Sequence, residues 1–239
     1  MAIQAAATTP RTQVKRIAQE ELPVSNYMCR VAQVIDLGKH YKSVWDDVKK
    51  EFRPDTGKVV HMAMLTYEFT TEFMKDEEGN DQEDRPRWLS EDFAVYPLDS
   101  DLAISTKRMK AFDPDFSKYN GDFALLANAP CTVTIAHKKN NKAKIGNVSP
   151  PMKGIPVPEL KNPVKVFSLD TPDLEVYKSL PQWLQERIAS NLEFKGSALE
   201  AALAGSPVQV KEVKPVVEKV KEEVVQEPES TVEEDDVPW

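Results

Sequence analysis

The sequence predicts a mainly β domain of the α+β class: a five-stranded barrel with one helix between the third and fourth strands. Three observations lead to this prediction. Runs of β-branched and aromatic residues recur over the first 150 residues, one segment with helical spacing interrupts them, and a lysine-rich turn joins the last two runs. With 239 residues, 41% of them hydrophobic and 29% charged, the chain has room for one globular, soluble domain plus tails.

The first three strands are predicted from β-rich runs that end at turn residues. Tyr27–Gly38 is the first strand, Lys58–Phe73 the second and Arg87–Tyr96 the third. Residues Lys39–Gly57 are predicted as a loop, because their charges and aromatic residues are scattered and they end in Pro-Asp-Thr-Gly, a turn signal. An acidic loop containing Gly-Asn is predicted over 75–84.

The helix is predicted over Asp99–Met109, where Leu102 and Met109 are seven residues apart and basic residues suit the C-terminal end. A hairpin follows, with strands Cys131–His137 and Ala143–Val148 joined by the basic turn Lys138–Lys142. Two short helices are predicted beyond the prolines of 150–163, the second with Leu184, Ile188 and Leu192 on one face, and Gly196 is predicted to end the structure. The expected parts are a mobile arm (1–22), the barrel (23–150), a proline-rich wrap with a helical extension (151–195) and a disordered acidic tail (196–239).

This order of elements is that of the OB fold, a five-stranded barrel with its helix in the same gap. An SH3-like barrel would also supply five strands, but not a helix of this length there. OB folds bind oligonucleotides with the loops that join strands one to two and four to five. At those two positions this chain has 39–57, which is basic and rich in aromatic residues, and the lysine-rich turn 138–142.

The acidity of the chain is concentrated at one end. The formal net charge is −8, and residues 210–239 carry −6 of it, with ten acids against four lysines, which leaves −2 for the rest. A nearly neutral body does not exclude nucleic-acid binding. No apolar run has the length of a membrane helix and no secretion signal is visible, and two cysteines suggest no disulfide framework, so we expect a cytoplasmic protein.

Single-stranded DNA binding requires aromatic rings that stack on bases and cations that follow the backbone. Core packing is the alternative for each ring, and a solvated surface position is the alternative for each cation. The cluster at 138–144 stands out because it caps a hairpin. The candidate ssDNA-binding residues are Arg30, Tyr41, Trp45, Lys49, Lys50, Phe52, Arg53, Tyr67, Arg85, Arg87, Trp88, Lys107, Arg108, Lys138, Lys139, Lys142 and Lys144.

The last residues form a second candidate site. Four acids precede a Val-Pro-Trp sequence, and such a tip can imitate phosphates in a basic groove or offer a partner protein acids and one aromatic anchor. A solvating tail is the alternative. If the tip occupies the DNA groove, we expect deletion of 231–239 to raise ssDNA affinity. The candidate partner-binding residues are Glu233, Glu234, Asp235, Asp236, Val237, Pro238 and Trp239.

Two resemblances point in the same direction. The closing Asp-Asp-Val-Pro-Trp resembles the Asp-Asp-Ile-Pro-Phe tip of bacterial single-stranded DNA-binding proteins, with Val for Ile and Trp for Phe. Residues Arg30–Gly38, Val59–Glu68 and Gly146–Pro151 are similar to a bacteriophage family of single-stranded DNA-binding proteins, over about 26–194. This resemblance implies an OB fold, cooperative coverage of ssDNA in replication and recombination, the host-cell cytoplasm as location, and recruitment of a polymerase, helicase or recombinase through the tail. It leaves a homo-oligomer open.

Other classes of function lack their motifs. Cys29, Cys131, His40, His61 and His137 have no metal-ligand spacing, and there is no phosphate-binding glycine loop and no nucleophile motif. We therefore expect no cofactor, no metal and no enzyme. The rival hypotheses are a protein-interaction adapter on a small β-barrel without DNA binding, and an enzyme of unrecognised type, such as a nuclease that uses loop acids.

Overall fold

The computed structural model describes residues 19–205, and over this range the protein is mainly antiparallel β sheet with a few short helices. Each helix in this range is too short and too polar to cross a membrane. A 3-10 turn occupies Phe123–Leu126. The strands and helices are β1 Asn26–Asp46, β2 Glu51–Lys75, β3 Asp81–Val95, α1 Ile104–Phe112, β4 Pro130–His137, β5 Ala143–Ser149, β6 Lys165–Phe167, α2 Leu174–Ser179, α3 Gln182–Ala189 and α4 Ala198–Leu203.

The sheet has the strand order β3-β2-β1-β4-β5, with antiparallel neighbours throughout this path. The short strand β6 pairs in parallel with β1 at residues 33–35. Strands β3 and β5 approach each other and α1 contacts both, but no hydrogen-bonded ladder joins them within residues 19–205, so the sheet is not closed. The predicted helix between the third and fourth strands is confirmed, and it begins at Ile104 because the preceding residues form turns.

Two hydrophobic cores lie on opposite faces of β1 and β2. The inner core contains Val31, Leu65 and Phe69 and is covered by Met109 of α1. The outer core contains Ile35, Leu37 and Met64 together with Phe167, Leu184, Ile188 and Leu199. Successive side chains of a strand point to opposite faces, so the middle of β1 is apolar at nearly every position. The helical extension is therefore packed on the sheet.

The extension continues past the predicted end of the structure. Ser197 caps α4 by accepting from the backbone N–H of Glu200, and Leu199 is fully buried in the outer core, so the prediction that Gly196 ends the structure is wrong. The same core takes Leu184 and Ile188, one turn apart on α3. Leu192, predicted on that face, lies beyond the helix and is 43% exposed.

The N-terminal segment 19–25 is also held by the sheet. Gln19 exchanges two hydrogen bonds with the backbone of Lys75, and the carbonyl oxygen of Leu22 is bonded to His137 Nε2. Leu22 is 3% exposed in the inner core. The predicted mobile arm 1–22 is therefore wrong for residues 19–22. Residues 1–18 and 206–239, with the acidic tip, lie outside the described residues.

The predicted loop Lys39–Gly57 is wrong, because β1 continues to Asp46 and β2 begins at Glu51. The turn is made by Asp46, whose Oδ1 accepts from the N–H groups of Val48 and Lys49 at 2.9 and 3.1 Å. The turn signal at 54–57 marks an irregularity inside β2, where the register shifts from Lys42↔Asp55 to Tyr41↔Val59. These residues form a hairpin that extends the two central strands.

Candidate nucleic-acid interface

Residues 39–59 form a projecting two-stranded hairpin, called the arm below. β3 stops pairing with β2 at His61, and no other described strand pairs with residues 39–59. At about 3.3 Å per residue, the eight residues from Lys39 to Asp46 extend the ribbon by about 25 Å. An isolated two-stranded ribbon buries little apolar surface, so its side chains are free to meet a ligand.

One face of the arm is aromatic. Tyr41 and Trp45 are four positions apart on β1, so the alternation of a strand places them on the same face, and Phe52 lies opposite Trp45 on β2. The rings of Trp45 and Phe52 meet edge to face, with centroids 5.0 Å apart and planes at 69°. Tyr41 is 39%, Trp45 48% and Phe52 69% exposed. Three exposed rings in a row are suited to stacking on successive bases.

The cations of the arm are partly neutralised by its own acids. Arg53 Nε lies 3.1 Å from Asp46 Oδ2, and Lys50 Nζ lies 4.0 Å from Asp47 Oδ1. Lys49 has no carboxylate within 4.0 Å among the described residues. The Lys50–Asp47 pair is exposed on both sides, and such pairs contribute little free energy and are easily exchanged for a phosphate. In the other pair the Arg53 side chain is 62% exposed and the Asp46 side chain 13%. Six of the predicted ssDNA-binding residues lie on the arm: Tyr41, Trp45, Lys49, Lys50, Phe52 and Arg53.

A cavity of about 450 Å³ opens at the root of the arm. It lies between β1, β2, the end of β3 and α3. Tyr41 belongs both to this cavity and to the aromatic face, so the two surfaces are continuous. The cavity is lined by His40, Tyr41, Lys42, Ser43, Val60, Met62, Asp92, Phe93, Ala94, Tyr96 and Arg187.

Tyr41 is the one cavity residue in the predicted site, and three others have side chains suited to nucleic acid: Lys42, Tyr96 and Arg187. Tyr96 is 38% exposed, and Lys42 is exposed beside it. Arg187 comes from α3 and forms an ion pair with Asp92 of β3, with side chains 37% and 42% exposed. Tyr96 ends a strand that the sequence predicts, and Lys42 lies in the basic segment 39–57, so the sequence contains a signal that could have marked both as ligand residues. Arg187 had none, since only tertiary packing brings α3 to β3.

The lysine turn lies at the opposite end of β1 from the arm. Asn26, the first residue of β1, pairs with Thr134, and β4 runs on from there to the turn. The predicted ligand residues of the arm and of the turn therefore form two separate groups. The path between them along β1 and β4 is about 60 Å at 3.3 Å per residue. The lysines of this second group are exposed: Lys138, Lys139, Lys142 and Lys144.

Two predicted ligand residues are buried between the sheet and α1. Tyr67 is fully buried, and its hydroxyl donates to Glu91 Oε1 at 2.9 Å. Arg108 of α1 is 5% exposed and donates to both carboxylate oxygens of Glu91, at 2.6 and 2.9 Å. Burial raises the pKa of Tyr67, and the neighbouring Glu91 carboxylate raises it further. Both predictions are corrected: these side chains connect β2, β3 and α1 and do not reach the surface.

One more predicted ligand residue, Arg30, is held by the proline-rich segment 151–164, which crosses the outer face of β1 and β2. Arg30 donates to the carbonyl oxygens of Asn128, Val157 and Pro158, and pairs with Glu159 at 2.7 Å. Its N–H groups are thus used within the fold, and it is corrected to an anchor of this segment. A different arrangement holds Trp88, whose Nε1 donates to the buried Glu68.

Glu68 is the point where that segment closes on the sheet. Besides Trp88, its carboxylate accepts from the backbone N–H of Lys161 at 2.6 Å and from Asn162 Nδ2 at 2.8 Å. A buried carboxylate needs such donors, because an unpaired charge in the interior is costly. The outer face of β1 and β2 is therefore covered at this level.

The remaining predicted cations lie outside the arm. Arg85 is exposed near the start of β3 and donates to Gln82, and Arg87 is half-buried opposite Phe69. Lys107 is exposed on α1. Among the residues that the structure describes, no group of three His, Cys, Asp or Glu side chains could hold a metal ion.

The arm joins the rest of the sheet at the His61–Asp36 pair and at Gly38, where there is no room for a side chain. His61 Nε2 lies 2.6 Å from Asp36 Oδ1, and this hydrogen bond raises the pKa of His61 against the opposing effect of burial. Burial would raise the pKa of Asp36, but hydrogen bonds from His61 and from the N–H groups of Gly38 and Leu169 outweigh it and lower that pKa. Gly38 has φ +78°, and a Cβ there would lie 2.7 Å from Leu169 Cδ1.

Comparison with protein-family models, with curated proteins and with solved structures finds no match to this chain.

Proposed function

We propose that this protein binds single-stranded DNA without sequence preference, and that it does so in phage DNA replication and recombination. The arm is the principal contact: its rings stack on bases while its lysines follow the phosphates. Stacking contributes about 1–3 kcal/mol per base and tolerates any sequence, because every base has a π-face. The observation that carries the proposal is the row of exposed rings Tyr41, Trp45 and Phe52 on one face of a basic arm.

The strand order supports an OB fold as the architecture of the barrel. Such a barrel needs β1 between β2 and β4, a β4–β5 hairpin, and a helix between β3 and β4 that fills one end. The order β3-β2-β1-β4-β5 and the position of α1 against β3 and β5 agree with this description. In an OB fold the connection between strands one and two is a ligand element, which is where this chain has its arm.

The lysine turn supplies a second, electrostatic contact in this proposal. Its three exposed lysines, and Lys144 just after it in β5, have no ring beside them in the turn, so they attract the strand but do not read bases. The tip 233–239 recruits a polymerase, helicase or recombinase in the same proposal, on the strength of its likeness to the tip of bacterial single-stranded DNA-binding proteins.

The direct test is a fluorescence-polarisation titration of a labelled oligothymidylate with the full chain at two salt concentrations, with a duplex of equal length as control. We expect tight, salt-sensitive binding of the single strand and weak binding of the duplex. The log–log salt slope should be about −0.7 for each phosphate that is neutralised. Absence of binding at low salt would contradict the proposal.

A protein-interaction adapter is the second candidate, favoured by the covered sheet. The segment 151–164 occupies the outer face around Glu68, which reduces the surface left for DNA. A Trp–Phe pair at an arm tip is also the chemistry of an interface anchor. In this case the oligothymidylate would not bind, while a partner protein would lose affinity when Trp45 is replaced by Ala.

A further inference from the structure

The cavity at the arm root has the chemistry of a nucleotide site. Its volume of about 450 Å³ is within the range of about 300–1,000 Å³ of small-molecule pockets. Val60 and Met62 give it an apolar wall, and Tyr41 and Tyr96 give it two rings. A base needs apolar surface and a ring to stack on, and both are present here.

The cations of this cavity suit a phosphate. Lys42 has no carboxylate within 4.0 Å among the described residues, and Arg187 is paired with Asp92 at the cavity wall. Both members of that pair are more than a third exposed, so the pair is weakly held and open to exchange. A backbone phosphodiester that approaches Arg187 carries the same single negative charge as the Asp92 carboxylate, and its two free oxygens can accept two hydrogen bonds from one guanidinium group.

We propose that this cavity is a subsite for one nucleotide of the bound strand, in which Arg187 exchanges Asp92 for a backbone phosphate and the base stacks on Tyr96. This inference rests on the proposed function and deepens it. It makes the helical extension part of the DNA site, because α3 supplies the phosphate contact. Asp92 acts as an internal competitor that occupies Arg187 when the strand is absent.

The experiment uses the full chain and a labelled oligothymidylate of about 20 nucleotides, longer than the site of one OB domain. Three variants are compared with the natural sequence: Arg187→Gln, Asp92→Asn and Tyr96→Leu. The matched controls are Lys110→Gln and Asp101→Asn, which break an exposed ion pair away from the cavity. Circular dichroism and urea unfolding verify that each variant is folded.

Each variant has its own expected result. Arg187→Gln weakens binding several-fold and reduces the log–log salt slope by about 0.7, the contribution of one phosphate. Asp92→Asn strengthens binding several-fold, because Arg187 no longer has a competing partner. Tyr96→Leu weakens binding about tenfold, which corresponds to the loss of one stacked base. The two control variants bind like the natural chain.

A second probe separates the two contacts. With an abasic oligonucleotide of the same length, Arg187→Gln still weakens binding, whereas Tyr96→Leu has no effect because no base remains to stack. If the natural chain binds oligothymidylate but Arg187→Gln and Tyr96→Leu leave affinity and salt slope unchanged, the subsite is refuted and ssDNA binding stands. Asp92→Asn that weakens binding would also refute the exchange. If the natural chain does not bind at all, the proposed function itself has failed.

Discussion

The two central strands pass through two environments, and the contrast between them separates folding from binding. Below the arm, β1 and β2 are buried on both faces. Val31, Leu65 and Phe69 belong to the inner core, and Ile35 and Met64 belong to the outer core. In the arm the same strands are solvated on both faces. The junction lies at Gly38 and at the His61–Asp36 pair. Aromatic residues in the buried half of these strands stabilise the fold, while those in the arm are available to a ligand.

The largest expected effect comes from two phenylalanines of β2, one in each environment. Phe69→Ala should lower the free energy of unfolding by about 3–5 kcal/mol, because the fully buried ring leaves a cavity. Phe52→Ala should change it by less than about 0.5 kcal/mol, since that ring is largely solvated. Urea unfolding followed by circular dichroism measures both values. Equal losses would mean that the arm is a cooperative part of the core.

A comparable loss of stability is expected for the buried one of two arginine–carboxylate pairs, and a small loss for the other. Arg108→Ala removes a buried partner of Glu91 and should cost about 3–5 kcal/mol, because the carboxylate stays buried without its counter-ion. Arg53→Ala breaks the arm pair with Asp46 and should cost less than about 1 kcal/mol, because the Arg53 side chain is 62% exposed and Asp46 keeps its hydrogen bonds from the N–H groups of Val48 and Lys49. In ssDNA titrations the order reverses: at concentrations corrected for folded protein, Arg108→Ala binds normally and Arg53→Ala binds more weakly. An affinity loss in folded Arg108→Ala would contradict its burial.

The smallest effect is a pH dependence at the junction. The raised pKa of His61 contributes stability that is fully present below about pH 6.5, its ordinary value, and is lost as pH rises through the folded value. The lowered pKa of Asp36 contributes stability that is present above about pH 3.9 and is lost as pH falls through its folded value. The pair should therefore stabilise most between these limits.

Replacement of His61 by Gln tests this window. The difference in unfolding free energy between the natural chain and His61→Gln should be greatest near pH 5.5 and should shrink by pH 8, and it stays below about 1 kcal/mol because His61 is 46% exposed. His137→Gln, whose ring is bonded to the carbonyl oxygen of Leu22, is the matched control. A difference that grows with pH would contradict the assignment.

Much of the sheet could be predicted, because β-branched and aromatic runs mark buried strands. Cys131–His137 and its return strand were recognised in this way, as was the helix before them. The three residues of β6 are too few to show a pattern. The sequence predicts a loop where the structure has the arm. The arm has no buried face, so its sequence does not alternate between apolar and polar residues, and the residues at 54–57 have the composition of a turn but belong to an irregular strand.

The candidate site was predicted less well, for reasons that concern long-range packing. The sequence marks Trp45 and Phe52 as candidate stacking rings because they lie in a basic segment, and the structure pairs them across the hairpin. Tyr67 and Arg108 have the same local chemistry as surface ligands, and only the position of α1 against β3 decides that they meet Glu91. Arg187 lies 95 positions from Asp92, and no local pattern connects them.

The measurement that tests the central claim most directly is the ssDNA affinity of the double variant Trp45→Ala/Phe52→Ala. The control is Leu102→Ala, which removes an 86% exposed apolar side chain outside the arm. With fold and stability unchanged, the double variant should bind oligothymidylate at least about tenfold more weakly, because each lost stacking contact contributes about 1–3 kcal/mol. The control should bind like the natural chain. A folded double variant that binds with unchanged affinity would contradict the assignment of the arm as the DNA-binding element.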